Sequence, residues 1–358
     1  MKLVSNEAEL PCRQIEGLDP FYKVVWEKAL KEGIPISGTF ELTPKCNFNC
    51  RMCYVHLKEQ QIHQRGKELS AGEWLHIAEE AKKEGTTWLC ITGGEPLLHP
   101  EFSDIWKGLA EMGFFLTLQT NASLIAGNIA ELLEKYPPRQ VKVTLYGTNN
   151  RVYQDVCGVE NGFSRVNEGI HILLSMGIPV SLVSTMIRQN ADDAEKMAFY
   201  AYRHRLTWRT TGNVKASLRG AETDVSALRI TGNSEEHKAL AVEKRIKEKK
   251  FLDPGRKPCT YCRDYRVGYW VLWDGHMSFC SFMDVPDISI RQMSFKECWR
   301  QLLEYEEVLD WPNECKMCEA NKVCLECIAS LATESGGSLQ MPKEYCDKIR
   351  ELYKRRND

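Results

Sequence analysis

The stretch TPKCNFNCRMCYVH, residues 43–56, holds three cysteines, Cys46, Cys50 and Cys53, spaced C-x3-C-x2-C. The next cysteine is Cys90, so the group stops one thiol short of the four that close a structural zinc site or saturate a 4Fe-4S cluster. Three thiolates on a cubane leave one iron without a protein ligand, able to bind a small molecule. A zinc triad with an outside fourth ligand is the alternative. The cysteines directly follow residues 37–42 (SGTFEL), which read as a strand.

Outward from this loop the chain alternates. Residues 70–84 read as a helix: Ser70 and Glu73 form a capping box, Trp74, Ile77, Ala78 and Ala81 an apolar stripe, and Gly85 the stop. Residues 88–92 are a short buried strand leading into GGEP. Helices are predicted over 102–112 (Ile105, Trp106 and Leu109 inward), 126–136, 166–176 and 193–203. Strands are predicted over 114–119, ending in TNA, over 141–145, ending in YGT, and over 180–186 and 206–211. Six strands alternating with helices predict an α/β fold, a parallel sheet with right-handed crossovers, open or curled towards a barrel. The cysteine loop, GGEP, TNA and YGT all fall at carboxyl ends of strands, where such folds carry their chemistry.

The chain has 358 residues, room for about two domains. A net charge of −2 gives no reason to expect nucleic acid or an anionic membrane as a partner. The N-terminus, MKLVSNEAELP, lacks the apolar core of a signal peptide. The most apolar stretch, 169–187, is broken by His171, serines and Pro179, so no membrane span is expected and the compartment is read as cytoplasmic. Fifteen cysteines in such a chain point to metal or redox chemistry rather than disulfides. Besides the triad there is a C-terminal group of Cys259, Cys262, Cys280, Cys315, Cys318, Cys324, Cys327 and Cys346. The remaining Cys12, Cys90, Cys157 and Cys298 read as buried small hydrophobes.

The triad after the first strand, with GGEP after the second, resembles the radical S-adenosylmethionine (SAM) superfamily. The resemblance implies a partial (β/α)6 TIM-like barrel over 37–212. It implies that Cys46, Cys50 and Cys53 hold a 4Fe-4S cluster whose open iron binds the amino and carboxylate groups of S-adenosylmethionine. It places Gly93, Gly94 and Glu95 against the methionine amino group. Met52 stands where the family usually has an aromatic residue against the adenine, and Tyr54 is available to supplement it. Thr120, Asn121, Thr144 and Tyr146 fall at positions that contact the sulfonium or ribose. The implied chemistry is reductive cleavage to methionine and a 5′-deoxyadenosyl radical, which abstracts a substrate hydrogen.

The C-terminal group resembles the SPASM extension of radical SAM enzymes that modify peptides and proteins. Twelve residues separate Cys262 from Gly275 and four separate Gly275 from Cys280, followed by Cys315-x2-Cys318-x5-Cys324-x2-Cys327 and a final Cys346. The last spacing in the family pattern is x3. The resemblance implies two auxiliary 4Fe-4S clusters, one on Cys259, Cys262, Cys280 and Cys327, the other on Cys315, Cys318, Cys324 and Cys346; zinc is the alternative. The expected organisation is an N-terminal helical extension (1–36), the radical SAM partial barrel (37–212), a connector (213–255) and a SPASM auxiliary-cluster domain with a C-terminal helix (256–358). Asp19 and Pro20 open the extension's helix. The connector's basic run, 243–250, reads as a solvated helix face, with a docking surface for an acidic peptide as the alternative.

Sulfatase-maturing relatives carry an aspartate directly after the third cysteine of the extension; here it is Ser281, and neither Asp274 nor Asp284 takes that position. The expected substrate is therefore a ribosomal precursor peptide, crosslinked through a thioether or C–C bond or oxidised. Oxidation of a small-molecule alcohol and sulfatase-type protein oxidation are the alternatives, and a non-enzymatic iron–sulfur scaffold is disfavoured by GGEP and the open triad. Implied partners are an electron donor such as flavodoxin or ferredoxin and a separate peptide-recognition protein.

Overall fold

The computed structural model describes residues 20–354 apart from 213, 220–223, 231–241, 243, 261, 263, 325, 338 and 340–342. Cys12 and Asp19 lie outside the described residues; Pro20 is the first residue of helix α1 (Pro20–Glu32), its fixed φ suited to a first turn.

The expected strands form one parallel run: β1 (Ser37–Glu41), β2 (Trp88–Thr92), β3 (Phe115–Thr120), β4 (Gln140–Thr144), β5 (Val180–Thr185) and β6 (Thr207–Thr211). Each pairs in parallel with the next. The sheet continues past β1 into the C-terminal part of the chain, in the order β6-β5-β4-β3-β2-β1-β7-β8-β9. Strand β7 (Gly268–Val271) lies parallel to β1, with Ser37 opposite Gly268, and β8 (His276–Ser278) and β9 (Ile288–Ser289) add antiparallel. Gly38 permits this junction: a Cβ there would lie 2.5 Å from the Tyr269 ring, whose hydroxyl meets Thr86 Oγ1 at 3.1 Å.

Connecting helices cover the outside. Helix α2 is Glu59–Arg65, and α3 is Ala71–Lys83, where both capping-box bonds form and Trp74, Ile77, Ala78 and Ala81 are buried. Trp74 packs against Phe40 with ring centroids 4.9 Å apart; burial of one such side chain contributes roughly 2–3 kcal/mol. Next come α4 (Phe102–Glu111), α5 (Gly127–Lys135), α6 (Asn150–Cys157), α7 (Gly162–Ser175) and α8 (Ala194–Arg203). Two of these, α2 and α6, are additions to the expected pattern. Each is short and mostly polar; α6 buries only Tyr153, Val156 and Cys157. Its ends were nonetheless written in the sequence: Asn149 accepts from Val152 N–H at 3.0 Å, and Gly158 takes φ 69° just past the end.

Lys244, Lys247, Lys249 and Lys250 in the basic run are exposed, while Ile246 packs towards Val242, Ala320 and Val323. Among the described residues no helix is long and apolar enough to cross a membrane.

Candidate active site

The cysteine loop leaves β1 at the carboxyl edge of the sheet and is held on two sides. On one side runs GGEP. Gly94 N–H donates to Thr43 O at 2.7 Å and Glu95 N–H to Lys45 O at 2.8 Å. A Cβ on Gly94 would sit 2.4 Å from Lys45 O, and one on Gly93 2.7 Å from Thr43 O. Both glycines are thus required for the close approach of the loop's own backbone. On the other side stands the end of α6: Asn49 and Arg51 N–H donate to the carbonyls of Cys157 and Val156, both at 2.9 Å.

The loop brings Cys46, Cys50 and Cys53 together, close enough for each to feel the others' charge. Cys46 Sγ accepts from Phe48 N–H at 3.4 Å and Cys53 Sγ from His56 N–H at 3.2 Å. Burial pushes the Cys53 thiol up to about 11 and raises that of Cys46 further. Half-buried thiols that accept from inward N–H donors suit a site completed by metal, which displaces their protons. They fit the cluster implied by the sequence.

Glu95 is fully buried, and both its oxygens are engaged. Thr120 Oγ1 donates to Oε1 at 2.7 Å, Asn121 N–H to Oε2 at 2.8 Å and Leu97 N–H to Oε1 at 3.2 Å. Burial raises its carboxyl to about 7 against the pull of these bonds. Glu95 thereby ties GGEP to the end of β3. Asn121 Nδ2 reaches Asn47 Oδ1 at 2.9 Å and approaches Cys46 Sγ at 3.9 Å, so Thr120 and Asn121 both belong to the cluster surroundings. Thr144 ends β4. Tyr146, next along, has its phenol raised by burial and by the nearby thiols of Cys50, Cys157 and Cys53. Met52 is buried in the main core.

Tyr54 turns towards the C-terminal domain. Its ring lies 4.5 Å from that of Phe282, and the Arg219 guanidinium lies 5.6 Å from its centroid. Asp274 is held by Arg65 at 3.0 Å and His276 at 3.1 Å, and Asp284 is exposed. Ser281 is buried.

The eight C-terminal thiols fall into two groups. Cys259, Cys262, Cys280 and Cys327 are within electrostatic reach of one another. Cys315, Cys318, Cys324 and Cys346 line one small cavity, with Arg256 and Arg350 beside them. Cys90 and Cys298 stay apart from both groups; Cys298 is buried in the core and its thiol approaches Ser289 O at 3.9 Å.

Residues 214–219, placed by the sequence in a connector, lie across the site. Along this extended segment Lys215, Ser217 and Arg219 alternate. Lys215 Nζ reaches Cys327 Sγ at 3.5 Å and lies 4.8 Å over the Phe282 ring. Ser217 Oγ donates to Tyr54 O at 2.9 Å. Arg219 Nη1 meets both Glu41 oxygens, at 2.8 and 3.0 Å, in a pair that is almost completely buried. Its Nε and Nη2 are buried without a hydrogen-bond partner among the described residues. Glu41, an acidic residue ending a buried strand, and the period-two spacing of Lys215 and Arg219 were the available signals for this part of the site.

Residues 40–201 match the family described as the radical SAM superfamily. An AdoMet-dependent heme synthase of Methanosarcina barkeri is 24% identical over 338 residues, covering 86% of this chain and 95% of its own. Further curated relatives match over less than half of this chain and of their own length. Among solved structures, Streptococcus suis SuiB bound to precursor peptide SuiA superposes with TM-score 0.64 at 15% identity, over 91% of this chain and 81% of that one. Native anSMEcpe with bound AdoMet and Cp18Cys peptide gives 0.61 at 16% identity, over 89% and 95%. Residues 40–201 thus carry a radical SAM domain, and the chain shares with SuiB and anSMEcpe the fold that joins it to the cysteine-rich C-terminal part.

Proposed function

We propose that the chain abstracts a hydrogen atom from a ribosomal peptide and completes a thioether or C–C crosslink, or an oxidation, with its C-terminal domain taking up the released electron. Bound S-adenosylmethionine and a 4Fe-4S cluster on Cys46, Cys50 and Cys53 supply the 5′-deoxyadenosyl radical. One observation carries the reading. The triad loop and the thiol group of Cys259, Cys262, Cys280 and Cys327 face each other across a wall made by Tyr54, Phe282, Lys215 and Ser217. A substrate at the barrel mouth therefore has the radical source on one side and an electron acceptor on the other. Loss of a hydrogen atom, then of one electron and a proton, balances formation of the new bond. The two structural neighbours were solved with peptides bound, which supports a peptide at this mouth.

The remaining assignments follow the same reading: two auxiliary 4Fe-4S clusters on the two C-terminal thiol groups, flavodoxin or ferredoxin as electron donor, a separate peptide-recognition protein, and a cytoplasmic setting. A second reading, oxidation of a small carboxylated metabolite, has its own support in the near full-length likeness to a heme synthase and in the two Arg219 nitrogens that have no partner among the described residues, which suit a carboxylate. Incubation of the anaerobic enzyme with isotope-labelled candidate substrates, following label into 5′-deoxyadenosine, separates the two.

Glu95 offers a test of the S-adenosylmethionine site. Glu95→Ala removes a charge-assisted contact worth roughly 1.5–3 kcal/mol, so affinity is expected to fall about 10- to 100-fold. Equilibrium binding to the reconstituted protein, with the radical-site cluster checked by its spectrum, measures this. Unchanged affinity would leave Glu95 only its bonds to Thr120 and Asn121.

A further inference from the structure

Lys215 sets a positive charge directly against a C-terminal thiol. Its Nζ donates to Cys327 Sγ at 3.5 Å, and the same ammonium lies 4.8 Å over the Phe282 ring. The side chain is half-buried, and its backbone is held on both sides. After it, Ser217 Oγ donates to Tyr54 O at 2.9 Å and Arg219 pairs with Glu41. Before it, Val214 O accepts from Arg229 Nε at 3.1 Å and from Nη2 at 2.8 Å, and Arg229 Nη1 meets Glu334 Oε2 at 3.1 Å. Glu334 ends the helix Ile328–Glu334, which starts directly after Cys327. The segment at the barrel mouth and the helix of Cys327 are therefore tied twice, by Lys215 to Cys327 and through Arg229 to Glu334.

Cys327 Sγ is also approached from its own helix: Ser330 N–H donates to it at 3.4 Å, and Ser330 Oγ lies 3.3 Å away. Polar groups gathered around one sulfur suit a thiolate, the form in which a metal holds cysteine. They support Cys327 as a ligand beside Cys259, Cys262 and Cys280 despite its x2 spacing. The Ser330 groups come with the turn that follows Cys327. Among the described neighbours of this sulfur, Lys215 alone reaches it from the barrel mouth and alone brings a full charge. Hydrogen bonds to cluster sulfurs are among the factors that set reduction potential. Reduction adds negative charge, so an ammonium donating to a ligand sulfur favours the reduced state.

We propose that Lys215 is a positioning residue acting through Cys327: its ammonium donates to Cys327 Sγ and raises the reduction potential of the cluster on Cys259, Cys262, Cys280 and Cys327. The inference rests on the reading in which that thiol group holds a 4Fe-4S cluster and takes up the electron released at the barrel mouth. The test is anaerobic potentiometry of the reconstituted full chain followed by electron paramagnetic resonance, reading the signal that Cys280→Ser alters. At fixed potential Lys215→Met is expected to lower the ratio of reduced to oxidised cluster about tenfold, which is about 59 mV for one electron. Lys215→Arg, which keeps the charge and a donor, should stay within about twofold of the unaltered chain. The other auxiliary signal should not move. If Lys215→Met fails to assemble the cluster, Lys215→Gln decides, since it keeps a neutral donor and loses the charge; a fall of about threefold or more then supports the proposal. A potential unmoved by methionine or glutamine overturns it, as does an equal fall in Lys215→Arg or an equal fall in both auxiliary signals. Absence from the unaltered chain of any signal sensitive to Cys280→Ser would overturn it at a different point, the ligand assignment on which it rests.

Discussion

Replacing Cys46, Cys50 and Cys53 together by alanine should abolish 5′-deoxyadenosine formation while leaving iron in the C-terminal domain. The unaltered chain, with three 4Fe-4S clusters, should hold about twelve irons, and the triple variant about eight. The loop's backbone is anchored by Gly94 and Glu95 N–H on one side and by the end of α6 on the other, and none of these bonds uses a cysteine side chain. The loop should therefore keep its course without its thiols. The C-terminal thiols are carried by other segments, so their metal should survive. Metal analysis with single-turnover product analysis reads both halves. Persistent cleavage of S-adenosylmethionine by the variant would remove the triad from its role. Two zincs and four irons in the unaltered chain would refute the auxiliary clusters.

Arg219→Met should be among the most destabilising single changes outside the core. The Arg219–Glu41 pair is nearly water-free, and removing one partner of a buried pair costs about 3–5 kcal/mol because the other charge is left uncompensated. Adding Glu41→Gln should recover a large part of that loss, since the stranded charge disappears with it. Urea unfolding of the anaerobic full chain, read for the single and double variants, measures the coupling. A loss below about 1 kcal/mol for Arg219→Met would mean that water reaches the pair. The arrangement is a poor device for stability alone, because Nε and Nη2 are buried with no partner among the described residues. Its position 5.6 Å over the Tyr54 ring places the pair beside the triad loop.

The barrel was legible because most of its strands are short runs with buried apolar residues followed by a helix with clear punctuation. Ser70 and Glu73 mark the start of α3, and Trp74, Ile77, Ala78 and Ala81 mark its buried face. The triad was legible for a different reason: three thiols so close together have few structural uses. What escaped was non-local. Strand β7 is the four residues GYWV, too short to announce a partner, and its pairing with β1 depends on Gly38 opening space for Tyr269. The sheet therefore continues from the strands of 37–212 into β7 to β9 of the C-terminal part. The same holds for 214–219, where no periodic pattern longer than six residues exists and only the fold shows that Lys215 and Arg219 meet Cys327 and Glu41.

The most direct measurement of the account is hydrogen transfer. Anaerobically reconstituted full chain is mixed with S-adenosylmethionine, a reductant and deuterated peptide encoded by a neighbouring gene, and the mass of 5′-deoxyadenosine and of the peptide is followed. The account predicts deuterium in 5′-deoxyadenosine and a peptide lighter by the hydrogens lost in forming the new bond. Deuterium arriving only from a free carboxylated metabolite, with every candidate peptide unchanged, would contradict it.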